Sequence, residues 1–258
     1  LLKRYLKFLG FEVNHVMNIT DVDDKIIQRC SEENRSREDL TREFTDAFFN
    51  DMESLNIEPA SKYPKATDHI EEMQSLIAQL ITKDYAYQSK DGSIYFRLDK
   101  YPDYGRLSKI DREGLAQTER VSNDEYDKGS IHDFALWKAW KEEDGDIAWD
   151  SPWGRGRPGW HIECSAMSMH YLGETFDIHT GGIDLMFPHH ENEVAQCVCA
   201  TGLTFAKYWL HNEHLVIDGA KMSKSAENFY TLRDLLNKGY SSTEIRYLLL
   251  STHYKQKV

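Results

Sequence analysis

The sequence predicts an α/β fold built on a parallel sheet, because helical and strand-like segments alternate at both ends of the chain. Apolar residues in the first nine positions follow helical spacing up to Gly10, and residues 11–17 then alternate apolar and polar as a strand does. A helix, a tight turn and a strand in so few residues are typical of the second half of a β-α-β unit. A second alternation of strands and helices begins near Gly159. The stretch between them has a different character and is interpreted as an insertion.

Length and composition restrict the class of protein. The 258 residues can bury one large core or two modest ones, and 40% hydrophobic with 29% charged residues is ordinary for a globular protein. No apolar run is long enough to span a bilayer, so we expect no membrane partner. The net charge of −12 argues against a surface dominated by nucleic-acid contacts, although a local basic patch stays open. Four cysteines are too few for a disulfide framework and predict a reducing, cytoplasmic compartment.

The first segment continues with two amphipathic helices, at residues 38–55 and 67–83, whose apolar stripes are typical of a core. The strand before them runs into an acidic trio at residues 21–24. Such a trio could suggest a hard-metal site, but a helix cap provided by Thr20 or Asp21 is the favoured interpretation.

The pattern changes from Tyr85 to about Trp153, where we expect a small insertion with its own short strands. A hairpin is predicted around Gly92. Four tryptophans in this region could stack on nucleic-acid bases or pack beneath the insertion. They are Trp137, Trp140, Trp149 and Trp153.

The second α/β segment supplies the remaining elements. We expect, in order, a short strand ending at residues 160–163, a helix over 165–172, a strand over 176–181, a helix ending near Ala200 and a strand over 207–217. Two helices close the chain, and the last opens with a capping box formed by Ser241 and Glu244.

Three residues of this segment could hold a metal ion. His189 and Glu193 are four apart on a predicted helix, so their side chains share one face, and Cys164 would add a thiolate. A surface ion pair and an inert core thiol are the plainer interpretations. Zinc at an open site would suit a substrate that carries a soft sulfur. Trp160 and His161, just before the cysteine, could line such a pocket or belong to the core.

Two further motifs indicate a nucleotide. Gly182 and Asp184 follow a strand, where glycine permits close backbone approach and the carboxylate could accept hydrogen bonds from a ribose, although a plain turn is a rival. Lys221, Ser223 and Lys224 follow a glycine turn. Two ammonium groups at this spacing could neutralise charge developing on a triphosphate, whereas a lone lysine pair is usually a solvated loop.

Four motifs together resemble cysteinyl-tRNA synthetase, a class I aminoacyl-tRNA synthetase, over nearly the whole chain. They are NITDVDDKII at residues 18–27, GRPGWHIECSAM at 156–167, TGGIDLMFPHHENE at 180–193 and KMSKS at 221–225. The resemblance implies a Rossmann-type catalytic domain, interrupted by a connective-peptide insertion and followed by C-terminal helices. It also implies an enzyme that activates cysteine with ATP, together with Mg²⁺, and transfers it to tRNA(Cys).

By motif position, the resemblance implies that Cys164, His189 and Glu193 are three of the family's four zinc ligands. Zn²⁺ would then bind the substrate thiolate directly, and serine would be rejected because its oxygen cannot replace that bond. The other implied roles are a cysteine pocket for Trp160 and His161, contact with the adenosine ribose of ATP for Gly182 and Asp184, and a loop closing on the triphosphate for Lys221, Ser223 and Lys224.

The resemblance also implies a division into domains. Residues 1–58 would form the first part of the Rossmann domain, 59–155 the insertion, 156–217 its second half, and 218–258 the lysine–serine loop with the start of a helical stem-contact region. The family's His-Ile-Gly-His motif and its fourth zinc ligand do not occur in the sequence. We therefore expect a chain truncated at both ends and inactive by itself in cysteine activation.

Three alternatives stay open. A related ligase joins cysteine to an amino-sugar in mycothiol synthesis, but its pattern lacks the glutamate that follows HHEN here, so Glu193 favours the synthetase. A non-catalytic, synthetase-like paralogue would not need the lysine–serine motif together with the zinc residues. A structural zinc protein leaves residues 221–225 unexplained.

Overall fold

A computed structural model of the chain describes residues 1–110, 133–217, 220–222 and 229–258, with the backbone alone at 220 and 221. The described helices are α1 Leu2–Phe8, α2 Asp24–Glu33, α3 Arg37–Ser54, α4 Ile70–Thr82, α5 Trp160–Leu172, α6 Glu191–Thr201, α7 Leu232–Asn237 and α8 Ser242–Ser251. The described strands are β1 Ala86–Gln88, β2 Ile94–Phe96, β3 Phe134–Ala139, β4 Gly156–Pro158, β5 Phe176–Gly182, β6 Ala206–Asn212, β7 Val216–Ile217 and β8 Ala220–Lys221.

The described strands form three sheets, one of which is the short antiparallel pair of β7 and β8. Strands β5 and β6 pair in parallel from Phe176–Ala206 to Gly182–Asn212, with α6 as the crossover between them, as the α/β prediction requires. Strands β1 to β4 form an antiparallel sheet in that order, and its first two strands are the predicted hairpin. Strands β1 to β3 of this second sheet lie within the stretch that the sequence marks as different, and β4 follows just after it.

Residues 11–17 do not form the predicted strand. The chain at 15–19 runs alongside residues 61–66 and forms two isolated parallel bridges with them, Val16 to Lys62 and Ile19 to Lys65. The backbone N–H of Ile19 donates to the carbonyl of Pro64 at 2.8 Å. The two segments therefore pair at isolated positions and do not form a continuous β-ladder.

The acidic trio after this segment serves the fold, and its helix cap differs from the sequence interpretation. Asp23 caps α2 by accepting the N–H of Ile26 at 2.6 Å. Asp21 is buried instead, where it accepts hydrogen bonds from the N–H and hydroxyl of Thr67. Asp24 forms ion pairs with Lys138 and Arg157. Each carboxylate therefore has a structural partner.

The segment at 160–163 is helical rather than extended. Gly159 donates its N–H to Leu136, which ends the pairing of β4 with β3, and α5 starts at the next residue. Ile162, Ala166 and Met167 then face the core at helical spacing.

One large hydrophobic core connects the antiparallel sheet with the helices packed against it. It combines Val22, the apolar face of α4, strands β2 and β3, and the facing sides of α5 and α6. Trp137 is 1% exposed and packs against Trp153. Of the two alternatives for Trp137, base stacking and internal packing, the structure therefore supports packing. Trp140 is exposed, with the Arg155 guanidinium over its ring.

The C-terminal helices agree with the sequence. Ser241 and Glu244 form the expected capping box on α8. None of the described helices combines the length and the hydropathy that crossing a membrane requires.

Candidate metal centre and its surroundings

Two neighbouring helices position the predicted metal ligands. Helix α5 carries Trp160, His161 and Cys164 within its first five residues. The turn at Met186–His190 and the first turn of α6 carry His189 and Glu193. Because α5 packs along α6, side chains 25 or more positions apart in sequence meet at one place.

The structure brings the three predicted ligands together. One ligand atom each from Cys164, His189 and Glu193 lies within 4.8 Å of the other two. Glu193 is fully buried and His189 is 4% exposed, while Cys164 is only partly buried. Cys164 is therefore the least buried of the three candidate ligands.

The Glu193 carboxylate shows that this donor set fits a cation. Its Oε1 lies 3.1 Å from Nε2 of His189, yet it accepts no hydrogen bond from any described residue and is buried. The two atoms are therefore close without hydrogen-bond geometry. Two ligands of a tetrahedral zinc ion are separated by roughly 3.3 Å, given metal–ligand distances near 2 Å. An ion shared by these atoms would explain both the spacing and the unsatisfied oxygen.

Electrostatics around the cluster favour the ligand form of the histidine. Burial lowers the pKa of His189 to about 3, so its imidazole is neutral and carries a free lone pair near neutral pH. Burial and the charge of Glu193 raise the pKa of the Cys164 thiol well above its usual range. A bound divalent cation would oppose that effect by stabilising the thiolate.

The predicted pocket residues lie beside the cluster. Nδ1 of His161 lies 2.9 Å from Nδ1 of His189, so these two nitrogens share one hydrogen bond and the second nitrogen of His189 is left facing Glu193. The ring of Trp160 stacks on His189 with centroids 4.3 Å apart and is 41% exposed. Trp160 thus forms an accessible edge of the cluster, whereas His161 is buried behind it.

A second group of ligand-type atoms was missed by the sequence reasoning. His179, His190 and Glu193 also place one ligand atom each within 4.8 Å of one another. His179 lies on β5, and its Nε2 is 2.8 Å from Oε2 of Glu193. A histidine two residues before a Gly-Gly pair at a strand end was the available signal.

Burial alone would lower the pKa of His179, but the charge of Glu193 and its hydrogen bond raise the pKa above the usual value. Burial likewise would raise the pKa of Glu193, and the charge of His179 together with its hydrogen bond lowers it. Glu193 is therefore ionised at neutral pH, as a metal-ligating carboxylate must be.

Two other residues of the segment at 189–193 face the segment at 101–110, which sequence spacing did not reveal. Glu191 accepts hydrogen bonds from the N–H groups of Gly105 and Ser108 and from the Ser108 hydroxyl. Asn192 accepts one from Tyr104. Glu191 and Asn192 thus contact the segment at 101–110, and the next residue of α6, Glu193, belongs to the metal cluster.

The predicted nucleotide contacts lie at the end of β5. A methyl group on Gly182 would come within 2.5 Å of Oδ1 of Asp184, so the absence of a side chain lets that carboxylate lie over the backbone. Asp184 is exposed, and its carboxylate is available to a ligand. A methyl group on Gly181 would come within 2.7 Å of the His190 ring.

The lysine–serine motif falls mostly outside the described residues. The backbone of Lys221 lies in β8, which pairs with β7, while its side chain, Ser223 and Lys224 lie outside the description. Their assigned role stays a prediction.

Comparison with known proteins places these features in a family. The profile of tRNA synthetases class I (C) catalytic domains matches residues 1–258. The chain is 54% identical over 260 residues to the cysteine–tRNA ligase of Brachyspira hyodysenteriae and 53% identical over 261 residues to that of Protochlamydia amoebophila. Each match covers 100% of this chain and 55% of the relative, so the chain spans about half the length of these curated relatives.

A solved structure shows the same fold at low sequence identity. Mycobacterium tuberculosis methionyl-tRNA synthetase, in complex with methionyl-adenylate, superposes with a TM-score of 0.72 at 17% identity, covering 98% of this chain and 60% of that one. The Rossmann-type α/β class expected from the sequence is thereby confirmed. Since the family profile extends over every residue, the chain belongs to the class I (C) tRNA synthetase catalytic domains.

Proposed function

We propose that the protein carrying this domain is a cysteine–tRNA ligase. A carboxylate oxygen of cysteine would attack the α-phosphate of ATP, and pyrophosphate would leave as the phosphoanhydride bond breaks. A ribose hydroxyl of tRNA(Cys) would then attack the carbonyl carbon of cysteinyl-adenylate, lose its proton and release AMP. The names of the relatives support this reaction.

The observation that carries the proposal is the convergence of Cys164, His189 and Glu193. A thiolate, a neutral imidazole and a carboxylate form a donor set suited to Zn²⁺. A zinc ion held there would supply a Lewis-acid position that prefers the sulfur of cysteine to the oxygen of serine. The partly buried Cys164 and the exposed edge of Trp160 leave a way in for a small amino acid.

Further residues of the chain would bind and orient the substrates. We assign the cysteine pocket to Trp160 and His161, and the ribose of ATP to Gly182 and Asp184. The exposed Asp184 carboxylate over a glycine backbone supports the second assignment. Lys221, Ser223 and Lys224 would bind the triphosphate, which enters with Mg²⁺.

The same proposal includes the division of the chain. Strands β1 to β3 of the antiparallel sheet would belong to a connective insertion at 59–155, between two parts of the Rossmann domain at 1–58 and 156–217. Residues 218–258 would carry the lysine–serine loop and the start of the stem-contact helices.

The test is cysteine-dependent ATP–pyrophosphate exchange with the protein made from the full reading frame that encodes this domain. Exchange with cysteine and none with serine is expected. Cys164→Ala should abolish exchange and zinc binding, and Lys224→Ala should lower exchange by roughly 10²- to 10³-fold while zinc stays bound. Cys30→Ala, which changes a buried cysteine outside the metal cluster, is the matched control.

The acceptor is tested separately with tRNA(Cys) and with an amino-sugar. If cysteine were transferred to the amino-sugar and not to tRNA(Cys), the proposed acceptor would be wrong. A protein that binds zinc but supports no exchange would be a binding module, and the proposed activity would be wrong.

A further inference from the structure

We infer that His179 is a positioning residue, which holds the Glu193 carboxylate so that one of its oxygens faces Cys164 and His189. The inference rests on the proposed metal site and adds a residue outside the ligand set. His179 stands on a different element from all three ligands, at the centre of the parallel sheet strand β5.

The two oxygens of Glu193 have different surroundings. Oε2 lies 2.8 Å from Nε2 of His179 in a hydrogen bond. Oε1 accepts no hydrogen bond from a described residue and lies 3.1 Å from Nε2 of His189. Rotating the carboxylate would break the first contact inside a fully buried site, which is costly. The hydrogen bond to His179 therefore fixes the orientation of the carboxylate in which one oxygen faces the metal cluster.

The His179 ring is itself fixed. It stacks on Trp209 with centroids 4.7 Å apart and 24° between the planes, and the His190 ring lies 4.5 Å from it and 5.2 Å from Trp209. The rings of Phe205 and Phe176 also lie next to it, with centroids 5.9 and 5.7 Å from that of His179. A ring packed by four aromatic neighbours cannot follow a moving carboxylate, so it acts as a rigid donor.

The neighbouring histidine does not share this role. Nδ1 of His190 lies 2.8 Å from Nε2 of His211 in a hydrogen bond, which orients the His190 ring. Its Nε2 remains 4.0 Å from Oε1 of Glu193, beyond hydrogen-bond range. Among these residues, His179 alone donates to Glu193 through a short contact.

A second cation between His179, His190 and Glu193 is the competing explanation of this cluster. The contact between His179 and Glu193 is 2.8 Å, shorter than the roughly 3.3 Å that separates two ligands of a tetrahedral zinc ion. The 4.0 Å contact of His190 is longer than that separation. The distances therefore favour a hydrogen bond that orients a ligand, which is how partners of ligating carboxylates commonly act.

The experiment measures Zn²⁺ affinity and stoichiometry by competition with a chromophoric chelator, using the full-length protein and three variants. His179→Gln keeps an amide nitrogen at the position of Nε2, whereas His179→Asn has a similar polarity but is one methylene too short to reach Glu193. His170→Gln, at a partly exposed histidine next to Glu72, is the control. Thermal unfolding of the metal-free forms reports any general loss of structure.

We expect one zinc ion per chain in the parent. His179→Asn should weaken zinc affinity by about 10- to 100-fold, His179→Gln should restore most of the affinity, and His170→Gln should match the parent. Equal zinc affinity in the parent and His179→Asn would overturn the positioning role while leaving the metal site intact. Two zinc ions per chain, one of them lost in His179→Asn, would overturn it in favour of a second cation. A parent that binds no zinc would remove the proposed metal site itself.

Discussion

Ser108 donates two hydrogen bonds to Oε2 of Glu191, one from its backbone N–H and one from its hydroxyl, each 2.8 Å long. The N–H of Gly105 reaches the other oxygen at 2.9 Å. Glu191 is buried and stands two residues before Glu193 on the same helix. The segment at 101–110 is therefore attached to the helix that carries a candidate metal ligand.

Replacing Glu191 with glutamine should destabilise the protein. The amide nitrogen cannot accept a hydrogen bond, so at least one buried N–H of Gly105 or Ser108 loses its acceptor, at a cost of about 1–3 kcal/mol. The free energy of unfolding from urea titration checks this. Glu174→Gln, at an exposed glutamate, should leave that free energy within about 0.5 kcal/mol. Equal effects of the two substitutions would show that the contacts to Glu191 carry no stability.

The ion pairs of Asp24 should make stability depend on pH. Burial alone would raise the pKa of Asp24, but the hydrogen bond from Lys138 and the charge of Arg157 lower it below the usual value. A carboxyl with a lowered pKa stabilises the folded state above its pKa in the unfolded chain, about 3.9, and this stabilisation disappears as the pH falls through the folded pKa.

The measurement compares the parent with Asp24→Asn by urea unfolding between about pH 7 and pH 3. The parent should be more stable at neutral pH, and the difference should shrink below about pH 4. Asp177→Asn removes an exposed pair with Lys207 and should change little at either pH. A difference for Asp24→Asn that stays constant over the whole range would contradict the lowered pKa.

Adding a methyl group at Gly182 should weaken ATP binding. The methyl carbon would come within 2.5 Å of Asp184 Oδ1 and displace the carboxylate assigned to the ribose. We expect Gly182→Ala and Asp184→Ala each to raise the KM for ATP about tenfold in the exchange assay. Their effects should not add in the double variant, since both act on one contact. Full additivity, or an unchanged KM, would place the ribose elsewhere.

Trp160 should affect cysteine binding and leave the metal in place. Its ring stacks on His189 and keeps an exposed edge, as a pocket wall would. Trp160→Ala should raise the KM for cysteine up to about tenfold, and Trp160→Phe should retain most of the affinity because it keeps an aromatic ring. Zinc content is measured on the same samples. Loss of zinc in Trp160→Ala would mean that the ring supports the cluster rather than the substrate.

Sequence spacing predicted the part of the metal cluster that is local. His189 and Glu193 share a face because they are four residues apart, and the structure keeps them 3.1 Å from each other. Cys164 meets them only because α5 packs on α6. Motif resemblance supplied that association, since spacing of 25 residues carries no geometric information.

The segment at 160–163 shows where local pattern failed. Trp160 and Ile162 alternate with His161 and Glu163, which imitates a strand with one polar face. Both polar residues are 1% exposed in the structure, and His161 contacts His189 there. Sequence patterns assume that polar residues face the solvent. His161 and Glu163 are polar but buried, so the assumption fails at this helix near the candidate site.

His179 and Glu191 were missed for a different reason. Their partners lie 14 and 83 positions away on other elements, and local sequence identifies neither partner, although the Gly-Gly pair after His179 marks the end of its strand. These contacts become visible only in the structure, where β5 and the segment at 101–110 pack against α6.

The central claim is a metal ion at Cys164, His189 and Glu193 that takes the sulfur of the substrate. Its most direct test is the near-ultraviolet absorption of the Co²⁺-loaded full-length protein, because thiolate ligands produce charge-transfer bands there. We expect a band that is weaker in Cys164→Ser than in the parent, that grows when cysteine is added and that does not change with serine. A spectrum that is identical in the parent and Cys164→Ser, or unchanged by cysteine, would contradict the account.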